Sequence, residues 1–207
     1  SLASNYGNGI YLTELMPVNV TGIVSMGDKF AFADNADLLR NNIDDLLQNE
    51  NSESTLKAKY DLGKNYAQWI LGNKSELRHL NLKPVSITYR PFDSKVTYFN
   101  NKILWRWREQ VMRHMLSGKN LGLICPRIKK EQSGGFVTST ICGHKAYDAY
   151  DSNSIFPLYL YPSENELEQN RRINFDEILY AKLQNLAKDQ LRGAPDEIAV
   201  FDYIYGV

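Results

Sequence analysis

From residue 35 to residue 82 the apolar side chains of this chain recur at helical spacing, and on both sides of that block they recur at every second position. A helix that buries one face needs a period near 3.6, and a strand that does so needs a period of two. A chain that changes period and then changes back must combine both kinds of element around its core, which excludes an all-helical bundle and an all-strand sandwich. Within the block, Leu38, Leu39, Ile43, Leu46 and Leu47 mark a first helix, with Asp34 or Asn35 as its cap and Asp37 in its first turn. The polar stretch 49–54 ends it. A second helix is expected over 53–60, ending by Gly63, and a third carries Tyr66, Trp69, Ile70 and Leu71 before Gly72.

Ahead of the block, Ile10-Tyr11-Leu12, the run 21–25 and the pair Phe30 and Phe32 predict short strands. Behind it, Val85, Ile87 and Tyr89 alternate with Ser86 and Thr88 until Pro91, and residues 95–99 resume the pattern. Residues 105–117 predict a helix stopped by Gly118, and 121–125 a buried strand. Further strands are expected at 136–141 and 155–161. Asn174 with Glu177 has the spacing of a capping box, and Pro195-Asp196-Glu197 suits the start of a last helix. The expected class is α+β, with a mixed or antiparallel sheet flanked by helices. It is read as one domain over 1–207, comprising a helical insert at 35–82, a sheet-rich core at 83–162 and C-terminal helices at 171–207.

At 207 residues the chain is long enough to bury a core without metal or disulfide, and its 43% hydrophobic content excludes disorder as the dominant state. Lysine plus arginine number 24, and aspartate plus glutamate also 24, a balance that argues against nonspecific binding of polyanions. Two cysteines, Cys125 and Cys142, make no disulfide framework and no four-ligand zinc site. No membrane-length apolar run occurs, so no membrane partner is expected and a cytoplasmic setting is the default. The opening at Ser1 and the close at Gly206-Val207, within an amphipathic pattern, read as a piece of something longer.

Catalytic signatures are missing. There is no Walker loop, dinucleotide fingerprint or Gly-x-Ser-x-Gly elbow, and His79, His114 and His144 have no metal-binding spacing. Gly9-Ile10-Tyr11 matches half of a GIY-YIG nuclease motif, but the other half would have to be Tyr203-Ile204-Tyr205-Gly206, at the opposite end of the chain. Pairs such as Asp93 with Lys95, or Glu131 near Lys129, are what solvated surface charge produces anyway.

The most distinctive words are Ile-Thr-Tyr-Arg-Pro-Phe-Asp at 87–93, Val-Met-Arg-His-Met-Leu at 111–116, Asn-Leu-Gly-Leu-Ile-Cys-Pro-Arg at 120–127 and Phe-Pro-Leu-Tyr-Leu-Tyr-Pro at 156–162. They are flanked by Gly22-Ile23-Val24-Ser25 with Asp28-Lys29-Phe30, and by Pro195-Asp196-Glu197-Ile198 running into residues 201–205. In this order they resemble the C-terminal specificity segment of single-chain restriction–modification enzymes, the type ISP group and related adenine methyltransferases. The resemblance implies a target recognition domain that reads duplex DNA beside a methyltransferase domain of the same parent chain. That preceding domain would use S-adenosylmethionine to methylate a flipped adenine at its exocyclic nitrogen. Neither Asn-Pro-Pro-Tyr nor a glycine-rich cofactor loop occurs in this chain, so no cofactor and no catalysis are expected of it alone. The alternative is an interaction module that packs on the methyltransferase domain and reads few bases itself.

Candidate DNA-binding residues follow from composition and place. Trp105-Arg106-Trp107-Arg108 interleaves aromatic rings with cations, and Arg106 and Arg108 suit phosphate or base contact, or plain surface charge. Arg127, Lys129 and Lys130 form a basic loop after an apolar strand, suited to phosphate neutralisation, with arginine also able to read guanine. Thr138, Thr140, His144 and Lys145 could supply direct or water-mediated base contacts, though strand threonines more often fit a pleated surface. Arg90 is read first as part of a structural corner in which it pairs with Asp93 and the rings of Tyr89 and Phe92 pack. It would reach a phosphate only if that pair were absent.

Overall fold

The computed structural model describes residues 9–48, 52–128, 134–163, 170–188 and 193–206. Its centre is a four-stranded antiparallel sheet, β1 (Val20–Thr21), β7 (Asn153–Pro157), β4 (Gly122–Pro126) and β5 (Phe136–Thr138) in that spatial order. Alternation along the two middle strands creates two cores. Leu123 opposite Phe156 points to one face, and Ile124 opposite Ile155 points to the other. Both faces are covered, so β4 reads as a continuous apolar run rather than an alternating one.

The face of Ile124 and Ile155 meets the larger core. This contains the insert helices α3 (Ala36–Leu47), α4 (Glu53–Tyr60), α5 (Lys64–Gly72) and α6 (Lys74–Leu77). It also contains a smaller mixed sheet in which β2 (Pro84–Arg90) lies between antiparallel β3 (Asp93–Tyr98) and parallel β6 (Ile141–Cys142). Asn35 caps α3, its side chain accepting the Leu38 amide at 2.9 Å. Leu39, Ile43 and Leu46 are then its buried stripe, as their spacing predicts. The opposite face, with Leu123 and Phe156, is covered by α1 (Leu12–Leu15), α8 (Glu177–Lys188) and α9 (Glu197–Gly206), with Phe201 completely buried. A two-stranded ribbon, β8 (Tyr159–Leu160) with β9 (Arg172–Ile173), completes that side. The α+β class and the flanking helices are as the sequence suggests.

Four expectations change. Residues 9–33 hold only two strand residues in β1. Ile10-Tyr11-Leu12 instead runs into α1, and Phe30 lies in a one-turn helix, α2 (Asp28–Ala31). The period-two pattern there arises from single bridges, Ile23 to Gly143, Val24 to Arg106 and Ala33 to Val96, rather than from ladders. Residues 105–108 are not helical. The helix starts only at α7 (Glu109–Met112) and tightens into a 3-10 turn at Arg113–Met115. The expected strand 136–141 is split into β5 and β6, which belong to different sheets.

Finally, Asn174 does not cap α8. It is buried, its amide nitrogen donates to the carbonyls of Val18 and Pro157, and its oxygen accepts the Val18 amide. The cap is Asp176, whose carboxylate accepts the Leu179 amide at 3.0 Å.

Candidate nucleic-acid interface

An extended segment, residues 22–24, organises the candidate site. On one edge, the Ile23 amide donates to Cys142 and the His144 amide donates to Ile23, both at 2.9 Å. On the other edge, Val24 and Arg106 exchange backbone hydrogen bonds at 3.1 and 3.0 Å. The approach requires glycine at position 22, because a Cβ there would lie 2.2 Å from the Gly143 carbonyl oxygen. Two further bonds, from the Arg127 amide to Ser152 and from the Asn153 amide to His144, each at 3.0 Å, draw the end of β4 to the same place. Segments far apart in sequence are thereby fixed largely by backbone groups.

Arg106, Arg108 and Arg127 form one cluster. Arg106 and Arg127 are exposed and Arg108 is half-buried. Among the described residues, ion pairs engage Lys29, Arg40, Lys59, Lys95 and Lys102, and none of these three arginines. Burial pulls the Arg108 pKa down, and the neighbouring Arg106 and Arg127 charges pull it further. Arg108 also has a left-handed backbone, φ 55°. Its Nε is the one buried side-chain nitrogen or oxygen without a hydrogen-bond partner among the described residues. Among the described residues these three guanidinium groups have no carboxylate partner, and one of them sits on a strained backbone, an arrangement whose chemistry suits an anionic or acceptor-rich ligand.

On the edge of residues 22–24 opposite Arg106, Arg90 and Lys145 both bear on His144. The Arg90 guanidinium lies over the Tyr89 ring, 4.2 Å from its centroid, and donates to the Tyr89 carbonyl at 2.8 Å. It does not pair with Asp93, which faces Lys95 at 4.0 Å, and Phe92 is fully exposed rather than packed on Tyr89. The expected corner is thus held by a cation–π contact instead of an ion pair.

Beneath it, the Tyr89 hydroxyl donates to Asp28 at 3.0 Å, and Ser25 donates to the other oxygen of the same carboxylate. His144 Nδ1 donates to the Ile23 carbonyl at 3.1 Å. Burial lowers the His144 pKa; the Ile23 bond and Asp28 oppose this, and Lys145 and Arg90 add to it. The net shift favours the neutral ring, in which Nδ1 donates and Nε2 is left as an acceptor.

Thr138 and Thr140 are occupied elsewhere. Their hydroxyls lie 2.6 and 2.9 Å from that of Thr88, and Thr138 is buried. This threonine cluster stitches β2 to the β5–β6 turn, with Thr140 half-buried. Lys129 and Lys130 lie outside the described residues. What sequence reasoning missed is the support: Val24 behind Arg106 and Asp28 behind Tyr89, the latter 61 positions away, with no local signal. Trp105 is exposed, and Trp107 packs on Phe99 with ring centroids 5.0 Å apart. Among the described residues no group of histidine, cysteine, aspartate or glutamate could hold a metal ion, and no helix is long and apolar enough to cross a membrane.

No curated protein matches the chain in sequence. Solved structures do match in fold. A cryo-EM structure of a DrdV–DNA complex aligns with a TM-score of 0.64 at 14% identity, over 93% of this chain and 19% of that one. The ATP-dependent Type ISP restriction–modification enzyme LlaBIII bound to DNA aligns at 0.62 and 14% identity, over 90% of this chain and 14% of that one. A nuclease-deletion mutant of the Type ISP enzyme LlaGI with a DNA substrate mimic aligns at 0.55 and 14% identity, over 90% and 17%. This chain spans a fifth or less of each. The profile of the family described as the Type ISP C-terminal specificity domain matches residues 14–207, which takes in every element from β1 to α9. The chain belongs to the Type ISP C-terminal specificity domain family.

Proposed function

We propose that this chain recognises a specific sequence in duplex DNA on behalf of a larger restriction–modification enzyme. The cluster of Arg106, Arg108 and Arg127 without an acidic partner carries the reading. Like-charged side chains held together at a structural cost are retained where a polyanion completes them. Arg106 and Arg127, both exposed, are assigned to phosphates. Half-buried Arg108 is assigned to a base edge, where a guanidinium reads guanine bidentately. Arg90 and Lys145, which both bear on His144, are assigned further phosphate contacts, and Lys129 and Lys130, next after Ile128 in the sequence, are proposed to add to them.

In this proposal the chemistry lies elsewhere. A preceding methyltransferase domain of the parent chain binds S-adenosylmethionine and methylates adenine at N6, and cleavage belongs to other domains, in a cytoplasmic enzyme. The three matched DNA-bound structures, each at least five times longer than the aligned segment, support that division.

Salt-dependent binding to a pool of random duplexes tests the reading. Enrichment of one short motif is expected. Arg106→Ala or Arg127→Ala should reduce the log–log salt slope by about 1 each, with the motif unchanged. Arg108→Ala should relax one position at a cost of about 1–3 kcal/mol. No enrichment at low salt, or a triple variant that binds like the parent, would sink it.

A second reading has its own support. Ile178, Leu186 and Tyr203 on α8 and α9 are 79%, 63% and 68% exposed, an apolar surface suited to packing against another domain. Charge substitution at Ile178 and Leu186 should then weaken association with the methyltransferase domain and leave the enriched motif unchanged.

A further inference from the structure

Tyr66, Trp69, Asn73 and Glu76 follow one another at intervals of three, four and three, so they form one stripe down α5 and α6. Each touches the same short stretch of chain. The Tyr66 hydroxyl, in a side chain 1% exposed, donates to the Ile103 carbonyl at 2.7 Å. Asn73 donates to the Lys102 carbonyl at 3.1 Å, and the Glu76 carboxylate meets the Lys102 ammonium at 2.8 Å. Trp69 and Trp105 stand edge to face with centroids 5.3 Å apart. Residues 102, 103 and 105 are those that lead directly into Arg106. Downstream, the segment is held by the bridge to Val24 and by the Arg108 carbonyl, which accepts from Val111 and Met112.

We propose that the helical insert is a positioning device for the arginine segment, with Tyr66, Trp69, Asn73 and Glu76 as the positioning residues that set where Arg106 and Arg108 meet DNA. The proposal rests on the reading of the arginine cluster as a DNA contact. A stretch that carries two mutually repelling guanidinium groups and a left-handed arginine relaxes unless its surroundings over-determine it. It has no ladder of its own, only one bridge. The stripe supplies further constraint, Tyr66 and Asn73 through the backbone carbonyls of Ile103 and Lys102, and Glu76 and Trp69 through the side chains of Lys102 and Trp105. The insert thus contributes to recognition through the arginine segment.

A double-mutant cycle separates positioning from general support. The clamp variants are Trp69→Leu and the pair Tyr66→Phe with Asn73→Ala. Each is made in the parent chain and in the Arg106→Ala/Arg108→Ala background, with Lys59→Ala, an ion-pair variant elsewhere in the insert, as control. Clamp variants should weaken DNA binding about three- to tenfold in the parent background and less than about twofold in the arginine-free one. Without DNA, amide exchange at Val24 and Arg106 should accelerate in the clamp variants while the amides of α3 and β4 keep their protection. Equal losses in both backgrounds, or unchanged exchange at Val24 and Arg106, would overturn the positioning role. If the arginine substitutions themselves leave binding intact, the DNA reading falls and this one with it. A strong arginine effect beside inert clamp variants removes only the positioning role.

Discussion

Arg108 shows how a single residue can be held against its own preferences. A left-handed backbone disfavours any side chain with a Cβ by about 1–2 kcal/mol. The Arg108 guanidinium is also partly desolvated beside two like charges. None of this helps the fold, so removing the side chain should separate stability from function. Arg108→Gly should be more stable than Arg108→Ala by about 1 kcal/mol, because glycine alone adopts φ 55° without strain. Both variants should lose DNA affinity to the same extent. Urea unfolding beside a binding titration checks this, and an alanine variant as stable as the glycine one would mean the conformation is not enforced. The sequence displayed these arginines openly, interleaved with tryptophans, but assigned them to a helix. The helical reading failed because Arg106 is claimed by Val24, more than eighty positions earlier, and a bridge of one residue pair leaves no period to detect.

At the scale of elements, local chemistry was legible wherever an element is stabilised by its own residues. The helix α3 carries its cap and its stripe within fourteen positions, and both stand where the spacing puts them. The start of α8 shows the opposite case. Asn174 has the residue type and the distance to Glu177 that a capping box requires, yet tertiary partners claim it first and Asp176 takes the cap. The two roles have different energetic signatures. Asp176→Ala loses one capping bond at a helix end and should cost about 1 kcal/mol. Asn174→Ala strands the Val18 amide and two carbonyls in a buried setting, so its cost should reach at least twice that, at about 2–4 kcal/mol. Equal costs in chemical denaturation would contradict the assignment. The same competition explains the threonines at 138 and 140. A pattern suited to a solvent-facing strand instead became a hydroxyl cluster, because β6 pairs in parallel with β2 and brings Thr88 against them.

For the whole molecule, the decisive feature is that one sheet separates two cores and the candidate site draws on only one of them together with the sheet. Arg106 and Arg108 lead into Met112 and Met115 of the larger core, and Arg127 leaves the end of β4. The smaller core is closed by Phe201 of α9, while α8 has no fully buried residue. Stability in such an arrangement should be graded, with α8 opening at lower free energy than the sheet. Phe201→Ala removes the central aromatic ring of the smaller core, a loss of about 3–5 kcal/mol. If the sheet insulates the two cores, amide protection should fall by that amount in α8 and α9 and far less in α3 and β2. Binding to DNA well below the melting temperature should stay within about twofold of the parent, since population of the open C-terminal helices leaves the arginine cluster in place. A uniform fall in protection across both cores would show a single cooperative unit, and a matching fall in affinity would tie α9 to the recognition surface. Selective loss with intact binding would identify the C-terminal helices as a separable layer, the part of the molecule whose apolar exterior is suited to contact with another domain.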